Sequence, residues 1–267
     1  MTPGSGLTLA QAARWHAAID RRRSRRSYDE TRPDSADLDA LGALAERFRP
    51  FAGARVGLAR EASSDMFVGI VGAYGGISGA PSAFVFLGRA DTPPQTVGYT
   101  GEALMLEATA RGLDTCWVGG MFSSVHAARA AGASPGERVF GVSPVGHAHE
   151  AVTLKERVLF KGGRPQRRMS VEEIAPGSRS WPEWARAAAE AVVPAPSAMN
   201  RQPWRLRFED AALVISFDGA DTPRISKRLD CGIAMLHAEL AAAVRGVTGD
   251  WELLGPPDVA RFTPRLR

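Results

Sequence analysis

Three segments of the chain combine residue types that could do chemistry. The first is Arg22-Arg23-Ser24-Arg25-Arg26. Forked guanidinium donors beside a hydroxyl match the oxygens of a phosphate group. Each charge-assisted bond of that kind contributes roughly 1.5–3 kcal/mol net. Standing alone, the same segment reads equally well as a solvated basic face or a nucleic-acid patch. The second segment is Ala195-Pro196-Ser197-Ala198-Met199-Asn200-Arg201-Gln202-Pro203-Trp204. Its small, polar and proline residues let a backbone come close to a flat ligand. The third runs from Gly112 through Thr115, Trp117 and the pair Gly119-Gly120 to Phe122. Paired glycines after an apolar run leave backbone N–H groups open to a ligand, although glycines alone also make an ordinary tight turn.

Helical and strand signals place these segments. Leu9, Ala12, Ala13, His16 and Ile19 recur at helical spacing, so a helix over 8–22 leads into the arginines. A second helix starts at Asp34 or Ser35 and runs to about Arg47. Residues 54–59, 82–87 and 138–145 read as strands, and 96–112 as a long helix ending at glycine. A short helix begins at Ser123 or Ser124, and Ser170-Val171-Glu172-Glu173 has the pattern of a capping box. Ser180 and Pro182 open a helix to about Val193. Residues 204–217 alternate as a hairpin around Glu209-Asp210, and 230–246 form the last long helix.

An internal repeat underlies this order. Gly98 and Gly112 lie 14 residues apart with Trp117 five further on, and Gly232, Gly246 and Trp251 have the same spacing. Between them Leu106, Ala108 and Arg111 match Leu240, Ala242 and Arg245. Matches in register predict a duplicated unit, whose halves pack about a pseudo-twofold axis as a homodimer would. Pro176-Gly177-Ser178 interrupts the helical pattern, so the expected halves are 1–177 and a shorter 178–267. The second half carries no evident counterpart to all of 123–145.

Composition narrows the class. The 267 residues are 45% hydrophobic and 23% charged, as in ordinary water-soluble domains. No stretch reaches the roughly 20 apolar residues that span a bilayer. Met1 to Leu9 has no basic start followed by an apolar block, so no secretory signal is expected. Cys116 and Cys231 cannot build a disulfide framework, which points to a reducing cytoplasm and buried, inert thiols. Lys155, Lys161 and Lys227 are the only lysines among 33 basic residues, and the arginines are spread along the chain. Spread charge argues against nucleic acid as the partner. His147 and His149 lack a set of further ligands, so no metal is expected. Glu102 and Glu107 on the 96–112 helix receive no role.

Together the three segments resemble the nitroreductase superfamily of FMN-dependent enzymes. Arg22, Arg23, Ser24 and Arg26 match its Arg-Arg-Ser-x-Arg motif. Ala195 to Trp204 matches its Ala-Pro-Ser-x-x-Asn-x-Gln-Pro-Trp motif, and Gly112 to Gly120 its Gly-Leu-x-Thr-x-Trp-x-Gly-Gly motif. In ordinary members the Ala-Pro-Ser motif follows soon after the arginines. Here that place holds Phe51-Ala52-Gly53-Ala54-Arg55, and the motif stands in the second half, which lacks the arginine motif. The chain is thus similar to a single-chain, tandem-duplicated branch. The resemblance implies an α+β fold of two related halves, an intrachain pseudo-dimer with central antiparallel or mixed sheets flanked by helices.

It also implies roles. Arg22, Ser24 and one of Arg167 or Arg168 would hold the FMN phosphate, with Arg23 in the same motif. Arg26 would lie near the pyrimidine edge of the ring. Backbone amides of Gly119 or Gly120 would face the nitrogen that exchanges hydride, and Pro196, Ser197 and Asn200 would close the site from the second half. The implied activity takes electrons from NAD(P)H to a nitroaromatic, quinone or similar acceptor, in a monomer or a weak homodimer. The alternatives are a flavin dehydrogenase or dehalogenase on the same fold, and a non-catalytic FMN-binding carrier or accessory protein.

Overall fold

The computed structural model describes residues 6–67, 76–149, 167–222 and 224–265. Helix α1 (Leu9–Ile19) starts at Thr8, whose hydroxyl accepts the Gln11 N–H while the Gln11 side chain returns to the Thr8 backbone. This reciprocal cap fixes a helix that buries Ala12, Trp15, Ala18 and Ile19. It ends three residues before the sequence reading, ahead of the arginines. Helix α2 (Ser35–Arg47) then leads to strand β1 (Arg55–Ala59), strand β2 (Ser82–Arg89), helix α3 (Pro94–Ala110), the short strand β3 (Asp114–Thr115), helix α4 (Ser124–Ala130) and strand β4 (Glu137–Gly146). The second part runs through helices α5 (Val171–Ile174) and α6 (Glu183–Val192), strands β5 (Trp204–Glu209) and β6 (Ala212–Phe217), helix α7 (Lys227–Val244), and strands β7 (Gly249–Leu253) and β8 (Asp258–Pro264).

The strands form two four-stranded sheets, in the orders β1-β2-β4-β3 and β5-β6-β8-β7. Every pairing is antiparallel, so the architecture is α+β. Both sheets place their elements in the same way, with the long helix between the second and third strand of each. Strand β8 therefore stands where β4 stands in the first sheet. Of the stretch 123–145, the second half thus has a counterpart to the strand β4 and, among the described residues, none to α4, so the counterpart is partial. Strands β7 and β8 are short, and their alternation was too brief to separate from loop by period alone.

Helices α3 and α7 form the centre. Both are buried almost all round, as a helix between two layers must be. They approach through glycine. A Cβ on Gly98 would lie 2.0 Å from the Leu229 carbonyl oxygen, and one on Gly232 would lie 1.9 Å from that of Gln95. The helices also end alike. Gly112 and Gly246 take φ of 81° and 76°. The next N–H in each reaches back to the helix, Leu113 to Ala108 at 2.9 Å and Val247 to Ala242 at 3.0 Å. This is the left-handed glycine stop that leaves the last carbonyls paired. Indole N–H groups tie the outer elements to the pair. Trp15 donates to Glu107 at 2.8 Å, and Trp251 donates to Glu239 at 2.7 Å. Among the described residues, no helix is long and apolar enough to cross a membrane.

Candidate functional site

A cavity of about 310 Å³ lies where the two parts meet. Its first wall carries Ser24, Arg26, Gly119 and Gly120, and its second carries Pro196, Ser197 and Asn200. Arg168 lies at one end. Eight of the eleven residues singled out in the sequence thus line one space. Arg22, Arg23 and Arg167 do not.

The arginine segment reaches the cavity because it leaves α1 as an extended strip beside β3. Ser24 bridges to Thr115, and the Arg25 N–H donates to the Thr115 carbonyl at 3.0 Å. Alternate residues of an extended strip face opposite ways, so Ser24 and Arg26 face the cavity together. Arg25 turns the other way, its guanidinium donating to the His149 carbonyl. Arg22 is buried at 5% exposure, and its Nη1 donates to Ser24 Oγ at 3.4 Å. Arg23 is exposed and donates to the carbonyls of Asp20 and Arg22.

The late pair is also separated. Arg167 is turned outward and ion-pairs with Glu173, whose carboxyl is held at about 2 by that guanidinium and by the Ser170 cap. Arg168 faces the cavity and donates to the Ala195 carbonyl. Burial, and then repulsion from Arg22 and Arg23, hold its guanidinium below the ordinary value. Among the described residues, neither Arg23 nor Arg168 has a carboxylate within salt-bridge distance. One end of the cavity is therefore a cluster of positive charge short of counter-ions.

Trp117 forms part of the first wall and is fixed from behind. Its ring stacks on Phe86 with centroids 4.0 Å apart, and its Nε1 donates to Glu102 at 2.6 Å. A Cβ on Gly101 would strike the same ring at 2.5 Å, so the helix is glycine where the indole passes. Glu102 is fully buried. Its other oxygen is shared by His237 Nε2 at 3.1 Å and Arg22 Nε at 3.9 Å. His237 stands on α7, and its Nδ1 donates to the Ala191 carbonyl at 2.9 Å. One carboxylate thus joins the indole wall, the cationic end and the second half. Gly119 and Gly120 follow Val118, which pairs with Val142. A Cβ on Gly119 would crowd Ile225 at 3.1 Å, so bare backbone faces the cavity there.

The second wall is a strained loop. Met199, Asn200 and Gln202 take φ of 50°, 54° and 46°, a left-handed region that costs a residue with a side chain about 1–3 kcal/mol. Side chains compensate. The Gln202 N–H donates to Ser197 Oγ at 2.9 Å, and Gln202 Oε1 accepts the Met169 N–H at 2.7 Å. Asp230, 1% exposed and lining the cavity, accepts the Ala198 N–H at 3.2 Å and Arg201 Nε at 2.7 Å.

The sequence reading passed over Asp230, Leu229 and Ile233, which α7 brings to the cavity. A lone carboxyl within the apolar run Leu229–Ala234 was the signal for the first of them. Cys116 also lines the cavity, and burial pushes its thiol up against the pull of Arg26 and Arg22. Among the described residues no group of His, Cys, Asp or Glu could hold a metal ion. Of the late basic cluster, Arg164-Pro165-Gln166 lies outside the described residues.

The model of one protein family, described as "Putative TM nitroreductase", matches residues 15–242. No curated protein matches the chain. Among solved structures, one described as a "putative nitroreductase" from Thermotoga maritima is similar at 20% identity, covering 93% of this chain and 92% of that one with a TM-score of 0.62. A nitroreductase from Bacteroides fragilis with bound FMN is 16% identical over 53% of this chain and 92% of that one, with a TM-score of 0.39. The first likeness is one of fold and spans both sheets, and the family model spans most of the chain, including both walls of the cavity. The chain belongs to this nitroreductase family, a family of oxidoreductases.

Proposed function

We propose that the cavity holds one FMN per chain and that the protein passes electrons from NAD(P)H to an organic acceptor such as a nitroaromatic or quinone. The observation that carries this reading is the meeting, in one cavity, of a cationic end, a bare-backbone wall and a loop from the other half. The donor set fits the cofactor. Arg168 stands at the charged end with Ser24 and with Arg22 and Arg23 behind them, and a phosphate there would offset their mutual repulsion. About 310 Å³ is at the lower edge of the range for small-molecule sites.

FMN, when bound, supplies the hydride and electron chemistry. The chain's part is to bind and to orient. Ser24 and Arg168 would hold the phosphate. Arg26 would place a fixed positive charge at the pyrimidine edge, where charge develops on reduction. The backbone at Gly119 and Gly120 would let the ring lie close, and Pro196, Ser197 and Asn200 would cover it from the second half. Arg167, paired with Glu173, has no place in this reading, and Arg22 and Arg23 act through their charge.

We also read the two halves, near 1–177 and 178–267, as products of one duplication. The common strand order and the matching helix ends support this. A single chain then supplies both walls, and a monomer suffices. The cavity takes the arginine and paired-glycine motifs from the first half and the Ala-Pro-Ser motif from the second.

The test is a titration of the purified chain with FMN and with riboflavin. One FMN per chain, a loss of affinity of about tenfold or more in Arg168→Ala, and unchanged riboflavin binding are expected, since one charged hydrogen bond accounts for that ratio. A chain that binds neither flavin refutes the reading. Anaerobic bleaching by NADH or NADPH and reoxidation by a nitroarene or quinone then distinguish an enzyme from a carrier.

A further inference from the structure

The wall contributed by the second half is tied to α7 by a buried carboxyl. Asp230 lies in the first turns of α7, with one face on the cavity. Its two oxygens share the Ala198 N–H at 3.2 and 3.4 Å, and Oδ2 takes the Arg201 Nε at 2.7 Å. The rest of the Arg201 guanidinium reaches Thr222 Oγ1 and the Ile225 carbonyl, each at 2.8 Å. The clasp therefore ties both ends of the strained stretch 198–201 to the start of α7. It does so where Met199 and Asn200 hold a left-handed backbone that relaxes once the ties are released. Both donors, an amide and a guanidinium, suit an ionised acceptor.

We propose that Asp230 is the positioning residue that pins the 196–202 loop across the cavity and so keeps the cavity's occupant in place. The identity of that occupant rests on the FMN reading, while the clasp itself does not. Charged and titratable groups facing Asp230 are Arg201 from the loop, Asp221 from the turn ahead of α7 and the neighbouring Cys231 thiol, with Arg26 and Arg168 elsewhere in the cavity lining. Burial raises the Asp230 carboxyl to about 6, against the opposing pull of Arg201. The carboxylate is thus the form present at pH 7.5.

Two measurements on the full chain test this. Hydrogen–deuterium exchange at pH 7.5 follows peptides covering 197–202 and, as reference, α3. In Asp230→Asn the loop is expected to exchange about tenfold faster, the ratio expected for one lost charged hydrogen bond, with α3 unchanged. Arg201→Gln breaks the same clasp from the partly exposed side and gives the same result if Asp230→Asn does not fold. The second measurement is FMN affinity at the same pH, read by flavin fluorescence. Both variants are expected to bind FMN about tenfold more weakly than the wild type. Loop exchange that is the same in wild type and both variants overturns the proposal, as does FMN affinity that neither variant lowers. If the wild type binds no FMN at all, the FMN reading fails, and the exchange result still decides the clasp.

Discussion

Gly232→Ala is expected to destabilise the fold and Gly42→Ala to stabilise it, although both place the same methyl group in a helix. At Gly232 the new Cβ would lie 1.9 Å from the Gln95 carbonyl oxygen. An ordinary carbon–oxygen contact is about 3.3 Å, so α3 and α7 must part by roughly 1.4 Å. The obstacle is backbone, and it cannot rotate away. Overpacking of this kind costs about 1–3 kcal/mol and sometimes more, and the helix-propensity gain of alanine over glycine returns about 1 kcal/mol. The clash wins, because separation along two long buried helices also forfeits dispersion contacts over their whole length. A net loss of about 2 kcal/mol lowers Tm by roughly 4–8 °C in a chain of this size. At Gly42 in α2, the nearest atoms to a new Cβ are 3.7 and 3.8 Å away, both on side chains. Only the propensity term acts there, and Tm is expected to rise by about 2–4 °C. Thermal unfolding followed by circular dichroism measures both. A Gly232→Ala protein as stable as the parent would refute the claim that α3 and α7 meet through glycine.

Three further outcomes follow from the geometry. Glu102→Ala leaves the Trp117 indole and His237 Nε2 without their buried acceptor; at about 1–3 kcal/mol for each orphaned group, urea unfolding is expected to register a loss of about 3 kcal/mol or more, and an unchanged midpoint would remove Glu102 as the junction. The Asp230 carboxyl sits at about 6 in the fold against 3.8 otherwise, so the native state binds the proton more tightly than the unfolded chain. Its stabilising contribution is complete below pH 4 and is lost as pH rises through 6, on the order of 3 kcal/mol in all; the difference in stability between wild type and Asp230→Asn, measured from pH 4 to 8, is expected to move by that amount in that window and level off above it. Arg26→Ala is expected to lower FMN occupancy or the rate of its reduction by NAD(P)H, and wild-type values for both would remove Arg26 from the site.

The helices were legible because their stops and starts are local. Thr8 with Gln11, Ser170 with Glu173, and glycines 112 and 246 each mark a boundary by the chemistry of a few neighbouring residues. The glycine–tryptophan repeat was legible for the same reason, and its glycines prove to be contact points between helices as well as stops. The two walls of the cavity could be named from motifs, but the direction of each side chain could not. Arg167 and Arg168 are adjacent and equally basic, and only the tertiary structure sends one to Glu173 and the other to the cavity. Arg22 has the composition of a surface phosphate ligand, yet it is buried behind Ser24 because a carboxylate 80 positions along the chain waits beneath it. Asp230 was passed over because its partners, Ala198 and Arg201, lie on a different element. Strand β8 escaped notice because its pairing with β6 is tertiary information.

Because both walls of the cavity belong to one polypeptide, they are encoded separately. In a symmetric pair of identical chains, any change to the covering loop would appear twice, and each site would inherit the compromise. Here a substitution between Pro196 and Asn200 reshapes a single wall once, and Ser24, Arg26 and the Gly119–Gly120 backbone opposite are left as they were. Selection, or an engineer, can therefore retune one side of the cavity while the side that carries Ser24 and Arg26 stays fixed.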